Sequence, residues 1–259
     1  MLPPLMLPVV LLLFSLPLAA QENGATLSAT GSQPAAGRKN ERPAPNLCED
    51  VKRIAQRIDR FTATPVFQQA LTALQDSLRT GRAQESSVSF GRNNRGDTIL
   101  SAIVSGGRSS APVPPVENAF ADLHTHPSNT PPSSGDVYGL LEKRNKTPGY
   151  TQRFVLTGNG TLYVLFVQDT ALAALFLRRY PPQRLAGFSP LFPEPLLDEF
   201  REIRYGQGVA EELAMARILD KYKAGVILFR QVKGEAIRWV RVTVSEEEPG
   251  FVSPAAACW

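Results

Sequence analysis

The sequence predicts an α+β protein, sandwich-like, in which a mixed and largely antiparallel sheet is flanked by helices. Three observations lead there. Apolar residues recur at helical spacing in two stretches that precede Gly81. Three turn signals, Asn93-Asn94-Arg95-Gly96-Asp97, Gly158-Asn159-Gly160 and Lys233-Gly234, each separate two apolar runs of strand length, which marks hairpins. Further helical patterns lie between and after those strands, so helices and hairpins are interleaved. With 259 residues, 43% hydrophobic and 20% charged, the chain has ordinary globular composition and suffices for one large domain or two small ones.

Taken in order, residues 1–20, MLPPLMLPVVLLLFSLPLAA, hold no charged side chain and end in the small residues Ala19 and Ala20. This layout predicts a secretory signal peptide cleaved near Ala20, hence a secreted or periplasmic protein. Its prolines and short apolar core argue against an uncleaved anchor, so no stable membrane insertion is expected after cleavage. Residues 21–46 are rich in Gly, Ala, Ser, Pro and Asn and read as a flexible linker. Order is expected from Leu47. A helix carries Val51, Ile54 and Ile58 on one face, and a second carries Phe67, Leu71, Leu74 and Leu78. SVSFGR and TILSAIVSG then flank the first hairpin turn as two strands. After a Pro-rich loop come the strand AFADLH, a polar loop and a helix with Val137, Leu140 and Leu141 inward. RFVLTG and TLYVLFV form the second hairpin, and TALAALFLRR a short helix. Two helical pieces, broken near Gly206 and Gly208, precede the closing hairpin AGVILFRQV and AIRWVRVTV. This organisation suggests a domain over 47–180 and a C-terminal helix-and-hairpin extension over 181–259.

The formal charge of +4, from 28 basic and 24 acidic residues, is mild and unclustered, which argues against a nucleic-acid partner. Two cysteines, Cys48 and Cys258, could form one disulfide in an oxidising compartment, closing a loop worth a few kcal/mol; two free thiols are the alternative. Neither has a Cys or His neighbour at zinc-ligand spacing.

Both histidines of the chain, His124 and His126, fall in one segment, FADLHTHPSNTPPSSGDVYGLLEKRN. Two residues apart on a strand, they point to the same side. Asp136, at the start of the following helix, can complete a His-His-Asp set, and such a set suits Zn²⁺ with a fourth position left open for water. Asp136 could instead merely stabilise the helix N-terminus, with the histidines as surface loop residues.

His124-Thr125-His126-Pro127 followed by Ser133-Ser134-Gly135-Asp136 resembles the JAB/MPN zinc metalloprotease motif known as JAMM, whose members include deubiquitinating isopeptidases and secreted bacterial relatives. The resemblance covers residues 80–170 and implies a JAB/MPN-like (cytidine-deaminase-like) core. It also implies Zn²⁺ held by His124, His126 and Asp136, Ser133 beside the reacting oxygen, and an upstream Glu as general base. Six residues separate His126 from Ser133, one fewer than the usual pattern. Glu85, in ESSVSFG, precedes a strand and a hairpin as the family's Glu does; Glu117 is the next candidate and Glu49 the third. The implied activity is amide hydrolysis by a zinc-activated water, on a peptide or isopeptide whose identity the motif does not set. Competing readings are a catalytically silent JAB-like binding module of an exported protein and a metal-free secreted binding domain. A barrel of the amidohydrolase or PHP type, whose first metal motif DLHTH also resembles, would need later histidines, which this chain lacks.

Overall fold

The computed structural model describes residues 47–80, 83–232 and 238–241. The signal-peptide and linker segments, the tip of the last hairpin and the Cys48–Cys258 pairing lie outside what is described. The described elements fall in one unit spanning residues 45–259.

Two helices open it. α1 (Leu47–Thr62) buries Val51, Ala55 and Ile58, spaced four and three apart on one face. α2 (Pro65–Arg79) starts where Thr64 caps it, its Oγ1 accepting from the Phe67 N–H, with Pro65 at a position where a missing N–H costs nothing. Phe67, Ala70 and Leu74 form its buried face. The strands follow: β1 (Ser86–Arg92), β2 (Thr98–Leu100), β3 (Val104–Ser105) and β4 (Ala121–His126). After β4 come α3 (Ser134–Lys146), β5 (Gln152–Thr157), β6 (Leu162–Val167) and α4 (Thr170–Arg179). α5 (Glu194–Arg201) runs into a π-helical turn, Glu202–Gly206, and α6 (Glu211–Lys221), β7 (Val226–Val232) and β8 (Arg238–Arg241) close the chain.

All eight strands belong to one sheet in the order β2-β1-β4-β5-β6-β7-β8, with β3 also pairing β1. The β4–β5 pair is parallel and the other described pairs are antiparallel. The α+β reading is therefore observed, and β7 and β8, from the C-terminal segment, extend the same sheet. One strand differs from expectation. TILSAIVSG divides into β2 and β3, and the register shows why: Phe90 pairs Leu100, yet Ser86 pairs Ser105, so the outer strand carries one extra residue. At that bulge the Ser101 hydroxyl, not its carbonyl, accepts from the Ser89 N–H at 2.9 Å.

Helices cover both faces. On one, α1 and α2 pack over Val88, Phe90, Leu123, Phe154, Leu156 and Val164. On the other, α3, α4, α5 and α6 pack over Val155, Leu165, Val167 and Leu228. Strand alternation then fixes the site: with Ala121 and Leu123 turned toward α1 and α2, Asp122, His124 and His126 point toward α3.

Candidate metal centre

The site forms where β4 ends. β1 runs antiparallel to β4 with Ser87 opposite His124, so continuing the register brings Glu85, just before β1, opposite His126. Glu85 is held there by two backbone bonds, its N–H to Gly107 O and its carbonyl to the Gly106 N–H, each 2.8 Å. Asp136 arrives from α3 through a reciprocal cap. The Ser133 Oγ accepts from the Asp136 N–H at 3.3 Å, while Asp136 Oδ2 accepts from the Ser133 N–H and Oγ, each at 2.7 Å. The cap and the site use the same carboxylate: Oδ2 is tied to Ser133, and Oδ1 lies 2.9 Å from His124 Nε2.

The structure brings all five predicted residues together. The two Nε2 atoms face each other at 3.2 Å, and Asp136 Oδ2 is 3.5 Å from that of His126. Glu85 Oε1 is 3.9 Å from the same atom, and Glu85, His124 and His126 each offer a ligand atom within 4.8 Å of the others. Glu117 is exposed, its carboxylate beside the Asn118 amide, and Glu49 is exposed on α1, so neither joins the site.

Hydrogen positions follow from the partners. His126 Nδ1 lies 3.0 Å from the carbonyl of Thr130, which can only accept, so Nδ1 carries the hydrogen and Nε2 keeps its lone pair. His124 Nδ1 lies 3.5 Å from Asp122 Oδ2, a buried oxygen with no hydrogen bond among the described residues. An N–H on Nδ1 is what that oxygen calls for, and it too leaves Nε2 facing the centre. Lone pairs and carboxylates thus converge on one point, an arrangement that requires a proton or a cation in their midst. The groups can hold a metal ion. Two nitrogens on a tetrahedral ion with bonds of about 2.0–2.1 Å would stand about 3.3 Å apart, close to the observed 3.2 Å.

The acidities reflect the same crowding. Without a metal, burial disfavours the charged His124 ring, but Asp136 and Asp122 overcome it and push its pKa up to about 9. Burial, together with the charge of His124, lowers that of His126 despite Asp136. Burial opposes ionisation of Asp136, yet the two imidazoles hold its carboxyl well below the usual range. Glu85 is pushed up to about 7, chiefly by burial and then by Asp136, against the pull of His124.

Behind the histidines lies a group that the motif reading did not include. Asp122, Tyr150 and Arg153 are all buried. Asp122 Oδ1 accepts from the Tyr150 hydroxyl and, at 3.1 Å, from Arg153 Nε. A signal was present in the sequence: Asp122 precedes His124 by the strand period of two, and Arg153 is a charged residue directly before the apolar run Phe154-Val155-Leu156.

A cavity of about 480 Å³ opens over the site. Glu85, His124, His126, Ser133 and Asp136 line it, walled by Arg108 and Ala111 from the β3–β4 loop and by Phe188 and Leu191 from the α4–α5 loop. The loops are joined, Ser189 Oγ donating to Ser109 O at 3.1 Å, and Ser134 Oγ ties α3 to Pro190 O at 3.2 Å. Compared with known proteins, the chain matches no family model and no curated protein. No helix among the described residues is long and apolar enough to cross a membrane.

Proposed function

We propose that this protein is an exported, zinc-dependent JAMM-type metallopeptidase or isopeptidase, in which His124, His126 and Asp136 hold Zn²⁺ and Glu85 is the general base. The observation that carries the reading is the pair of Nε2 atoms facing each other at 3.2 Å with both Nδ1 atoms turned to oxygens, and Asp136 Oδ1 2.9 Å from one of them. Two imidazoles and a carboxylate are the donor set of a catalytic zinc site, and when bound the ion supplies a Lewis acid that makes water acidic near neutral pH.

The chain's own groups divide the remaining work. Glu85 lies 3.9 Å from His126 Nε2, beyond the spacing of two ligands on one tetrahedral ion, which suits a base better than a ligand. A carboxylate in that place, lining the cavity beside the histidines, can take a proton from water and return it to the leaving amine. Ser133 lines the cavity and can turn its hydroxyl toward an oxyanion, because its N–H alone still anchors Asp136 Oδ2 at 2.7 Å. The closeness of Glu85 to the histidines favours catalysis over the silent binding module. The test is zinc content and hydrolysis of peptide and isopeptide substrates by wild type and His126→Ala. Near-stoichiometric zinc and turnover are expected in the first, and loss of both in the second. A wild-type protein that binds no zinc sinks the proposal.

A further inference from the structure

Arg153 is a strange residue to find where it is. It is 6% exposed, beside Asp122 at 0% and Tyr150 at 0%. Burying an ion pair costs several kcal/mol per ion before its partner offsets the loss. A pair made for stability alone would be complete with Arg153 and Asp122, which face each other across β4 and β5 in register. The guanidinium does more. Its Nη1 donates to the main-chain carbonyl of Asp136 at 3.3 Å and lies 3.9 Å from Asp136 Oδ1. α3 leaves room for this approach by having Gly139 in its second turn: a Cβ there would lie 2.0 Å from Nη1.

We infer that Arg153 is a positioning residue that sets the distance between the histidine strand and the Asp136 carboxylate, one edge of its planar fork on Asp122 and the other on the first turn of α3. The inference rests on the metal centre proposed above. Three links make the chain of contacts. Asp122 Oδ2 faces His124 Nδ1 at 3.5 Å and orients that ring. Asp122 Oδ1 is fixed by Tyr150 and by Arg153 Nε. Arg153 Nη1 then fixes the helix that delivers Asp136. The guanidinium thus keys the sheet to the helix, independently of the contacts Asp136 makes with the two imidazoles, at the point where two ligands must be spaced correctly. A lysine cannot serve, since an ammonium lacks the two rigid edges.

The experiment compares wild type with Asp122→Asn, Arg153→Lys and Gly139→Ala. Zinc affinity is measured by competition with a chromogenic chelator, the absorption spectrum is recorded after Co²⁺ substitution, and thermal unfolding is followed on the metal-free proteins. Gly139→Ala matters most, because it displaces the guanidinium while keeping every charge and polar group. Affinity is expected to fall about 10–100-fold in Asp122→Asn and Arg153→Lys, as for other supports of ligand orientation, and in the same direction in Gly139→Ala. The Co²⁺ spectrum should change in all three, and the Asp122→Asn/Arg153→Lys double variant should lose less than the product of the single losses. Should either polar variant fail to fold, Gly139→Ala decides. A folded Gly139→Ala protein with wild-type zinc affinity and an unaltered Co²⁺ spectrum overturns the positioning role and leaves the metal centre standing. Wild-type protein that takes up no zinc overturns both.

Discussion

Glu85→Gln is the substitution that separates a base from a ligand. Gln has the same shape, so the cavity and the bonds from Glu85 main-chain atoms to Gly106 and Gly107 are preserved. What disappears is the capacity to take a proton, in a group whose carboxyl burial has already brought to about 7. General-base catalysis contributes about 10²–10⁴-fold, equivalent to about 2.7–5.4 kcal/mol of barrier at 1.36 kcal/mol per decade. The variant should therefore lose turnover by that factor while KM and zinc content stay near wild type. Steady-state hydrolysis of a fluorogenic substrate, with metal analysis of the same preparation, reads both. The metal-free variant should unfold no earlier than wild type, because a buried negative charge has been removed from beside Asp136. Full turnover would place the base elsewhere. Loss of zinc would make Glu85 a ligand, an outcome its position within 4.8 Å of both histidines allows.

Ser133→Ala should lower kcat by up to about 10²–10³-fold through loss of an oxyanion donor, and lower stability by about 1 kcal/mol through loss of the helix cap, measured by urea unfolding. Phe67→Ala should cost about 3–5 kcal/mol, since its fully buried ring lies 5.0–5.5 Å from those of Phe61, Phe90 and Phe154; a loss below about 1 kcal/mol would contradict the packing. Loading zinc into metal-free protein should release protons, measured by calorimetry in buffers of different ionisation enthalpy, because the 2.9 Å contact between His124 Nε2 and Asp136 Oδ1 needs a hydrogen that the ion displaces. Burial works against ionisation of Glu199, but hydrogen bonds from Lys221 and Tyr222 outweigh it and hold the carboxyl below its ordinary 4.5. Its contribution is complete above that value and is lost as pH falls through the lower folded one, so Glu199→Gln should destabilise by about 1 kcal/mol at neutral pH and by nothing in strong acid.

Much of this arrangement was legible because it is local. The spacing of Val51 and Ile58, the glycines around Asn159 and the alternation in ADLHTH each depend on a few neighbouring residues, and helices and strands form where those patterns say. The His-His-Asp set is local too: a strand, a loop and a capped helix, all within residues 121–136. Glu85 was harder. Resemblance ranked it above Glu117 and Glu49, but only the β1–β4 register carries it to His126. The role of Arg153 is not legible in its own segment, because the carboxylate and the carbonyl it binds lie 31 residues away at Asp122 and 17 away at Asp136. The break between β2 and β3 was hidden for another reason. A serine hydroxyl can replace a carbonyl in a ladder without changing the apolar pattern of TILSAIVSG. The loop walls of the cavity follow no period at all and meet through side-chain to main-chain bonds such as Ser189 to Ser109.

The centre follows one rule of construction: each of its groups is anchored to the scaffold by one atom and offers another to the middle. His126 gives its Nδ1 hydrogen to Thr130 O, His124 turns Nδ1 to Asp122, Asp136 Oδ2 accepts from the Ser133 N–H, and Glu85 gives its main-chain N–H to Gly107 O. The anchors are main-chain atoms or buried side chains, so the spacing is set when the strands and α3 fold and not when an ion arrives. On the proposed function, little reorganisation would then be charged against binding, and the ion would be chosen by distances that exist beforehand. An Nε2 pair at 3.2 Å matches bonds of about 2.0–2.1 Å to nitrogen. It does not suit Ca²⁺, which takes oxygen ligands at about 2.3–2.6 Å. On the proposed function, selection of a small, nitrogen-seeking divalent ion would be a consequence of where the anchors hold the two imidazoles, and moving an anchor should change which metal binds before it changes whether the protein folds.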